Sequence, residues 1–160
     1  QRRASGTVVQ RKYVKSNQII PASSPRFSLP SGTPTSTKGT EVLTGGGALR
    51  LTPTSALNTL RIRGLLYGSP SQDMTYVSAF VSTGTTVLGS VVIYISKDNQ
   101  NATAIPFEFM VQAGGTSELT FRLGVSTSAG IFYINGNSAG VLDFMNGTVN
   151  AFIEVVEEAQ

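Results

Sequence analysis

The chain has 160 residues, a formal net charge of +3 and no Cys, His or Trp. This length fits one domain whose core is large enough to fold without disulfides, and the missing Cys and His exclude thiolate metal sites and His-dependent nucleophilic triads. Charged residues make up only 13% of the chain, which is typical of a hydroxyl-rich β-sandwich built from short strands.

The first predicted element is an extended basic arm over residues 1–40, which precedes a domain over residues 41–160. The arm carries seven bases and no acid, and four prolines between residues 21 and 34 favour extended geometry over helix. Short strands at Thr7–Val9 and Tyr13–Val14 are expected to join the sheet of a neighbouring molecule. The arm residues predicted to bind that partner are Arg2, Arg3, Val8, Val9, Arg11, Lys12, Tyr13, Lys15, Ile19 and Ile20.

From residue 41 the sequence alternates between strands and turns. Apolar residues recur at every second position within most of the segments, which indicates strands with one packed face. Asn135-Gly136 and Asn146-Gly147 are hairpin-type turn signals. Eight strands in one domain predict an all-β, antiparallel jelly-roll sandwich. The predicted strands cover residues 49–51, 57–67, 74–83, 87–96, 105–111, 119–125, 131–134 and 149–155.

No motif in the chain predicts catalysis, a metal site or a cofactor. The segment Gly136–Gly140 matches the G-x-S-x-G nucleophile elbow through Ser138, but the chain has no His to accept the serine proton. The loop Asp98–Asn101 lacks the acidic spacing of a calcium loop. The carboxylates of Glu154, Glu157 and Glu158 are interpreted as a solubilising chain end. No apolar run approaches the roughly 18 residues of a membrane span, so no membrane partner is expected.

The last third of the chain carries a resemblance to a known family. The succession of Ile105–Phe109, Glu118–Gly124, Phe132–Gly136 and Ala151–Val155 resembles the jelly-roll heads of phage spikes, fibres and capsid decorations. These heads are similar in architecture to tumour-necrosis-factor-like and complement-type globular heads. The resemblance covers residues 57–160 and implies a homotrimer on the capsid surface of a virion. Aromatic residues that it implies for the trimer interface are Phe132, Tyr133 and Phe152.

These observations favour a non-enzymatic structural protein. The first hypothesis is a trimeric capsid decoration, cement or spike head, held by its arm to a major capsid protein or another virion protein. Removal of residues 1–40 is then expected to leave a folded head that no longer attaches.

Two other hypotheses stay open. One is the coat subunit of a small icosahedral shell whose basic arm faces nucleic acid. The other is a host-receptor or glycan-binding fibre head that uses loops 68–74 and 97–104. A sugar site ranks lower by sequence, because aromatic residues are scarce at these loops and only Tyr76 borders the first.

Overall fold

The computed structural model describes residues 4–22, 40–42, 49–84, 86–97, 102–137 and 150–160. These residues form eleven strands. Their bounds are β1 Val8–Ser16, β2 Ile20–Ala22, β3 Thr40–Glu41, β4 Leu49–Leu51, β5 Thr59–Pro70, β6 Thr75–Thr83, β7 Thr86–Ile95, β8 Thr103–Gln112, β9 Leu119–Thr127, β10 Phe132–Ile134 and β11 Ala151–Glu158.

The strands occupy eight positions in two antiparallel sheets. In the larger sheet β5 pairs with β8 along one side and with both β11 and β10 along the other, so β10 and β11 share one position. Strands β1 and β2 share the outermost position beyond them. In the smaller sheet β3 and β4 share the position beside β9, which is followed by β6 and β7. The eight predicted strands correspond to β4–β11 and fill seven of these positions, and the remaining position is filled by β1 and β2 from the predicted arm.

The order of these positions identifies the sandwich as a jelly roll. The positions are numbered here in chain order, so that β1 and β2 form the first and β10 and β11 the eighth. The first position neighbours the eighth, the second (β3 and β4) neighbours the seventh (β9), the third (β5) neighbours the sixth (β8), and the fourth (β6) neighbours the fifth (β7). The chain is therefore one long hairpin rolled so that its successive parts fall into two facing sheets. The predicted fold class, an all-β antiparallel jelly-roll sandwich, is confirmed.

The core lies between the two sheets and is built from the alternate, inward side chains of each strand. Ile62 and Val155 from the larger sheet are completely buried, as is Leu123 from the smaller sheet. Gly64 has no room for a side chain, because a Cβ there would lie 2.4 Å from the Phe107 ring and from a main-chain oxygen of β11. The predicted inward faces of β5, β8 and β9 have the orientation that their alternation indicates.

The described part of the first 40 residues belongs to the sandwich of its own chain. Strand β1 pairs with β11 from Val8 to Ser16, and β2 pairs with β10. The prediction of a separate arm thus differs from the structure in these residues. The physical reason is that β11 is almost entirely buried on both faces and needs a neighbour along each edge to satisfy its main chain. Val14 and Ser16 also turn toward the core, while exposed basic residues beside them conceal the alternation.

Asn135 holds the junction between β1 and β2. Its side-chain nitrogen donates to the carbonyl oxygens of Ser16 at 2.9 Å and Gln18 at 3.0 Å. The residue has a φ of 58°, in the left-handed region where Asn is tolerated, and it forms the turn that the Asn135-Gly136 pair predicts. One buried amide therefore fixes the N-terminal segment to the turn that follows β10.

Candidate assembly surface

The outward face of the larger sheet is divided into a charged half and an apolar half. Side chains alternate across a strand, so the register of β5 places residues 61 and 63 in outward rows at one end and residues 65 and 67 at the other. The first rows contain arginines and glutamates, and the second contain apolar side chains. The division is visible along β5, and the register extends it to β11 and β8.

The charged half is a network of ion pairs across four strands. Glu154 on β11 is buried and bridges Arg11 on β1, at 3.1 Å, and Arg63 on β5. Arg61 pairs with Glu158 at 2.6 Å and more weakly with Glu108 at 3.8 Å. Exposed pairs contribute little singly, but a buried carboxylate that holds two guanidinium groups fixes all three side chains. Most of the charge on this half is therefore already neutralised within the chain.

The apolar half contains the outward side chains of Leu65 and Tyr67 and their neighbours. Leu65 lies between Phe152 on β11 and Pro106 on β8, and Tyr67 is paired with Ala104. None of these side chains is fully buried, and Pro106 and Ala104 are exposed. Farther along the same face, β10 and β2 pair Tyr133 with Pro21. An apolar, partly aromatic surface of this kind resembles the central part of protein–protein interfaces.

A depression of about 540 Å³ lies where the two halves meet. Arg63 and Glu108 line it from the charged half, and Pro106 and Phe152 line it from the apolar half. The paired main chains of Gly64 and Phe107 run between these rows. The depression thus offers apolar walls, a guanidinium and a carboxylate to a side chain or small group that enters it.

The structure brings together two of the three aromatic residues predicted for a trimer interface. Tyr133 and Phe152 are half-buried and both face outward on the larger sheet. Phe132 is completely buried between the sheets, with its ring against Gly68, and has no exposed side-chain area to offer a partner. The reason is the pleat of β10, which turns Phe132 and Ile134 inward and Tyr133 outward.

The predicted partner-binding residues of the N-terminal segment are distributed over both sides of β1 and the junction after it. Arg11, Tyr13 and Lys15 lie on the outward side of β1 in alternate positions and are exposed, and so are Val8 and Lys12. Val9, Ile19 and Ile20 are half-buried. Arg2 and Arg3 lie outside the described residues, as do Ser138, the loop 98–101 and the Asn146-Gly147 turn.

The interpretation of the last carboxylates as a solubilising chain end is wrong. Glu154, Glu157 and Glu158 are all buried, because β11 runs between β1 and β5. Glu157 is in phase with the core residues Ile153 and Val155, and this alternation was the signal in the sequence that could have located it. The charge of Glu157 predicts an exposed side chain, but a carboxylate in an inward row can be buried when hydrogen-bond donors surround it.

Glu157 accepts four hydrogen bonds at the end of the core. Its oxygens receive the Gln10 amide at 2.5 Å, the Asn58 amide at 2.6 Å, and the main-chain nitrogen and hydroxyl of Thr54 at 2.8 and 2.9 Å. Burial raises the pKa of the Glu157 carboxyl, but the bonds from Gln10, Asn58 and Thr54 outweigh it and hold the pKa below its ordinary value of 4.5. The carboxylate ties β1 and the 52–58 segment to β11.

The part of the chain that the structure covers contains no candidate metal site and no candidate membrane-spanning helix. Within those residues, no three acidic side chains lie close enough together to hold a metal ion. No helix among them is long and apolar enough to cross a membrane.

Comparisons with known proteins add a general likeness. No protein-family model matches the sequence, and no curated protein matches it either. A chain in a structure of infectious bursal disease virus strain Gt is 13% identical, with 98% of this chain aligned to 38% of that one at a TM-score of 0.49. A chain of the VP2 subviral particle of infectious bursal disease virus is 12% identical, with 96% of this chain aligned to 39% of that one at a TM-score of 0.44.

A different class of protein matches at a similar level. The insecticidal delta-endotoxin Cry8Ea1 from Bacillus thuringiensis is 14% identical, with 91% of this chain aligned to 19% of that chain at a TM-score of 0.42. This chain spans about two fifths or less of the length of these solved chains. At such scores the likeness decides nothing about function, and the fold assignment rests on the strand pairing.

Proposed function

We propose that this chain is a non-enzymatic structural virion protein whose copies associate through the apolar half of the larger sheet. In the finer form of the proposal it is a homotrimeric capsid decoration, cement or spike head on the capsid surface. The N-terminal segment attaches it to a major capsid protein or another virion protein. The observation that carries the proposal is the outward cluster of Phe152, Leu65, Pro106, Tyr67 and Tyr133.

The architecture supports a structural role. Jelly rolls with this strand order are common in viral shell proteins, and also in lectin domains. The chain lacks His and Cys, which removes the residues most used for acid–base, nucleophilic and transition-metal chemistry. A rigid two-layer sandwich with one apolar outer face is what a closed, symmetric assembly needs from each subunit.

The apolar half and the depression together fit a contact between copies. In a trimer each subunit presents one patch to the next, and the two patches differ. The depression beside Phe152 and Pro106 is open to a side chain from such a neighbour, and Arg63 and Glu108 at its rim suit a polar edge around an apolar centre. Charges that are already paired within the chain give little repulsion between identical copies.

The edge strand β1 supports attachment to a second partner. It is an outer strand of the larger sheet and presents Arg11, Lys12 and Lys15 as exposed bases. An acidic, extended segment of a shell protein fits this edge by main-chain pairing and charge. Deleting residues 1–40 would be a poor test of this contact, since it would also remove the neighbour of β11.

The native mass of the purified full chain, measured by light scattering at low and high salt, tests the proposal. A trimer that is insensitive to salt is the expected result, because apolar contacts are screened little by ions. Phe152→Ser should lower the mass. Met110→Ser is the matched control, since Met110 is 61% exposed on the charged half of the same face and should leave the trimer intact.

Other outcomes would overturn parts of the proposal. A monomer at all concentrations, or a trimer that Phe152→Ser does not weaken, would contradict the assembly surface. A very large particle, or assembly that needs added nucleic acid and disappears at high salt, would favour a coat subunit whose basic segment faces nucleic acid.

A further inference from the structure

A pair of tyrosines forms an exposed platform on the smaller sheet, on the side of the molecule away from the proposed assembly surface. Tyr76 on β6 lies directly opposite Tyr94 on β7. Their ring centroids are 5.0 Å apart and the ring planes are inclined by 58°. The side chains are 38% and 47% exposed, and Val92 and Met74 extend the patch at 40% and 72%. Two inclined ring faces are thus open to solvent.

Hydrogen bonds from both sides hold the platform in place. The main-chain nitrogen of Tyr76 donates to the Ser128 hydroxyl at 3.0 Å, and the nitrogen of Ser128 donates back to the Tyr76 carbonyl at 2.9 Å. The main-chain nitrogen of Lys97 donates to the Asp73 carboxylate at 2.7 Å, which ties the end of β7 to the turn before β6. A recognition surface fixed in this way loses little freedom when a ligand binds.

The strands around the platform carry few charges. The row beside the tyrosines contains Val92, which is exposed, and Ser78 and Ser126, which are buried. On the strands of this face, the nearest described charged side chain is Arg122, which pairs with Ser82. Ser82 is six residues, or about 20 Å, along β6 from Tyr76. Asp73 and Lys97 border the platform at its outer end. An uncharged ligand with an apolar face suits the two ring faces and Val92 better than a charged one.

The size of the patch favours a small ligand over a protein partner. Each tyrosine leaves on the order of 100 Å² exposed, given the 150–250 Å² that an aromatic side chain can bury. The four side chains together stay well below the roughly 800 Å² per partner of a stable protein interface. One or two sugar rings cover such an area, with an apolar face of the sugar on a tyrosine ring and its hydroxyls near the phenol oxygens.

We infer that the Tyr76–Tyr94 platform is a binding site for a neutral saccharide. By sequence alone a sugar site ranks lower, because aromatic residues are scarce beside the loops. The fold changes that argument, because it places Tyr94 next to Tyr76. This inference does not depend on the proposed assembly surface, which lies on the other sheet.

Saturation-transfer-difference NMR tests the inference with lactose, maltotriose and N,N′-diacetylchitobiose as separate probes on the full chain. At least one probe should receive saturation at its ring C–H protons. The double variant Tyr76→Ser/Tyr94→Ser should weaken its binding at least tenfold. Met110→Ser is the matched control, since Met110 is an exposed apolar side chain on the larger sheet and this variant should bind the probe like the parent chain.

Circular dichroism confirms that the double variant is folded, and both tyrosines are outward-facing side chains whose loss leaves the core intact. The inference is overturned if no probe receives saturation, or if the double variant binds as well as the parent. It is also overturned if the double variant binds no sugar but has a lower native mass, because the patch would then be a contact between copies. Loss of the trimer in Phe152→Ser with sugar binding retained would separate the two proposals.

Discussion

Replacement of Glu157 by Gln should destabilise the fold by about 3 kcal/mol. The carboxylate accepts four hydrogen bonds, and an amide has one acceptor oxygen, so at least one donor among Gln10, Thr54 and Asn58 faces an NH₂ group. A buried donor without an acceptor costs about 1–3 kcal/mol, and each remaining bond loses the strength of a charged acceptor. The lower desolvation cost of the neutral amide offsets part of this loss.

The measurement is urea and thermal unfolding followed by circular dichroism at a fixed protein concentration. For a chain of this length the expected loss lowers the melting temperature by roughly 2–4 °C per kcal/mol. Glu118→Gln is the matched control. Glu118 is about half-exposed and pairs with Arg50 at 3.3 Å, so its loss should change stability by less than about 0.5 kcal/mol. An equal effect of the two substitutions would refute the reasoning.

The pH dependence of unfolding provides an independent test of the role of Glu157. Because the folded-state pKa of Glu157 lies below its ordinary value of 4.5, the unfolded chain takes up the proton first as the pH falls. The stability contributed by this carboxylate is complete above pH 4.5 and is lost as the pH drops through the folded-state pKa. The gap between the parent chain and Glu157→Gln should therefore narrow below pH 4.5, and a gap that widens would contradict the assignment.

Two further substitutions test the close contacts that shape the sheet. Gly64→Ala should destabilise by about 1–3 kcal/mol, because its Cβ would lie 2.4 Å from the Phe152 main-chain oxygen; Gly115→Ala, with nothing within 4 Å, is the control in the same unfolding assay. Asn135→Ala should loosen β1, measured as faster hydrogen exchange in its amides, because the bonds to the Ser16 junction are lost. Asn135→Gly removes the same bonds without strain at a φ of 58°, so protection retained in both variants would show that the side chain does not hold β1.

Part of the fold could be read from the sequence because strand alternation is a local property. Residues 105–111 and 119–125 alternate so regularly that their inward faces follow from the pleat alone, and both are confirmed. Arg61 and Arg63 likewise lie on the outward side of β5, as their alternation with Leu60 and Ile62 indicates. The jelly-roll class followed from the number and spacing of such segments.

Part of the candidate site could not be read, because it depends on which strands are neighbours. Tyr133 and Phe152 share a face only through the pairing of β10 and β11 with β5, and the same pleat removes Phe132 from that face. The burial of Glu157 depends on donors from Gln10 and Asn58, which are 147 and 99 residues away in the chain. Local charge predicted the opposite.

The sequence by itself determined the strands from residue 49 onward, the inward faces of β5, β8 and β9 and the lack of His- and Cys-dependent chemistry, since each depends on neighbouring residues or on composition. Only the tertiary structure decided that β1 completes the larger sheet, because the need for that strand lies in the unpaired edge of β11 at the other end of the chain. It also decided that Tyr76 meets Tyr94. The alternation within a strand decides which face is buried and so restricts its register, but it does not name the strand that will be its neighbour.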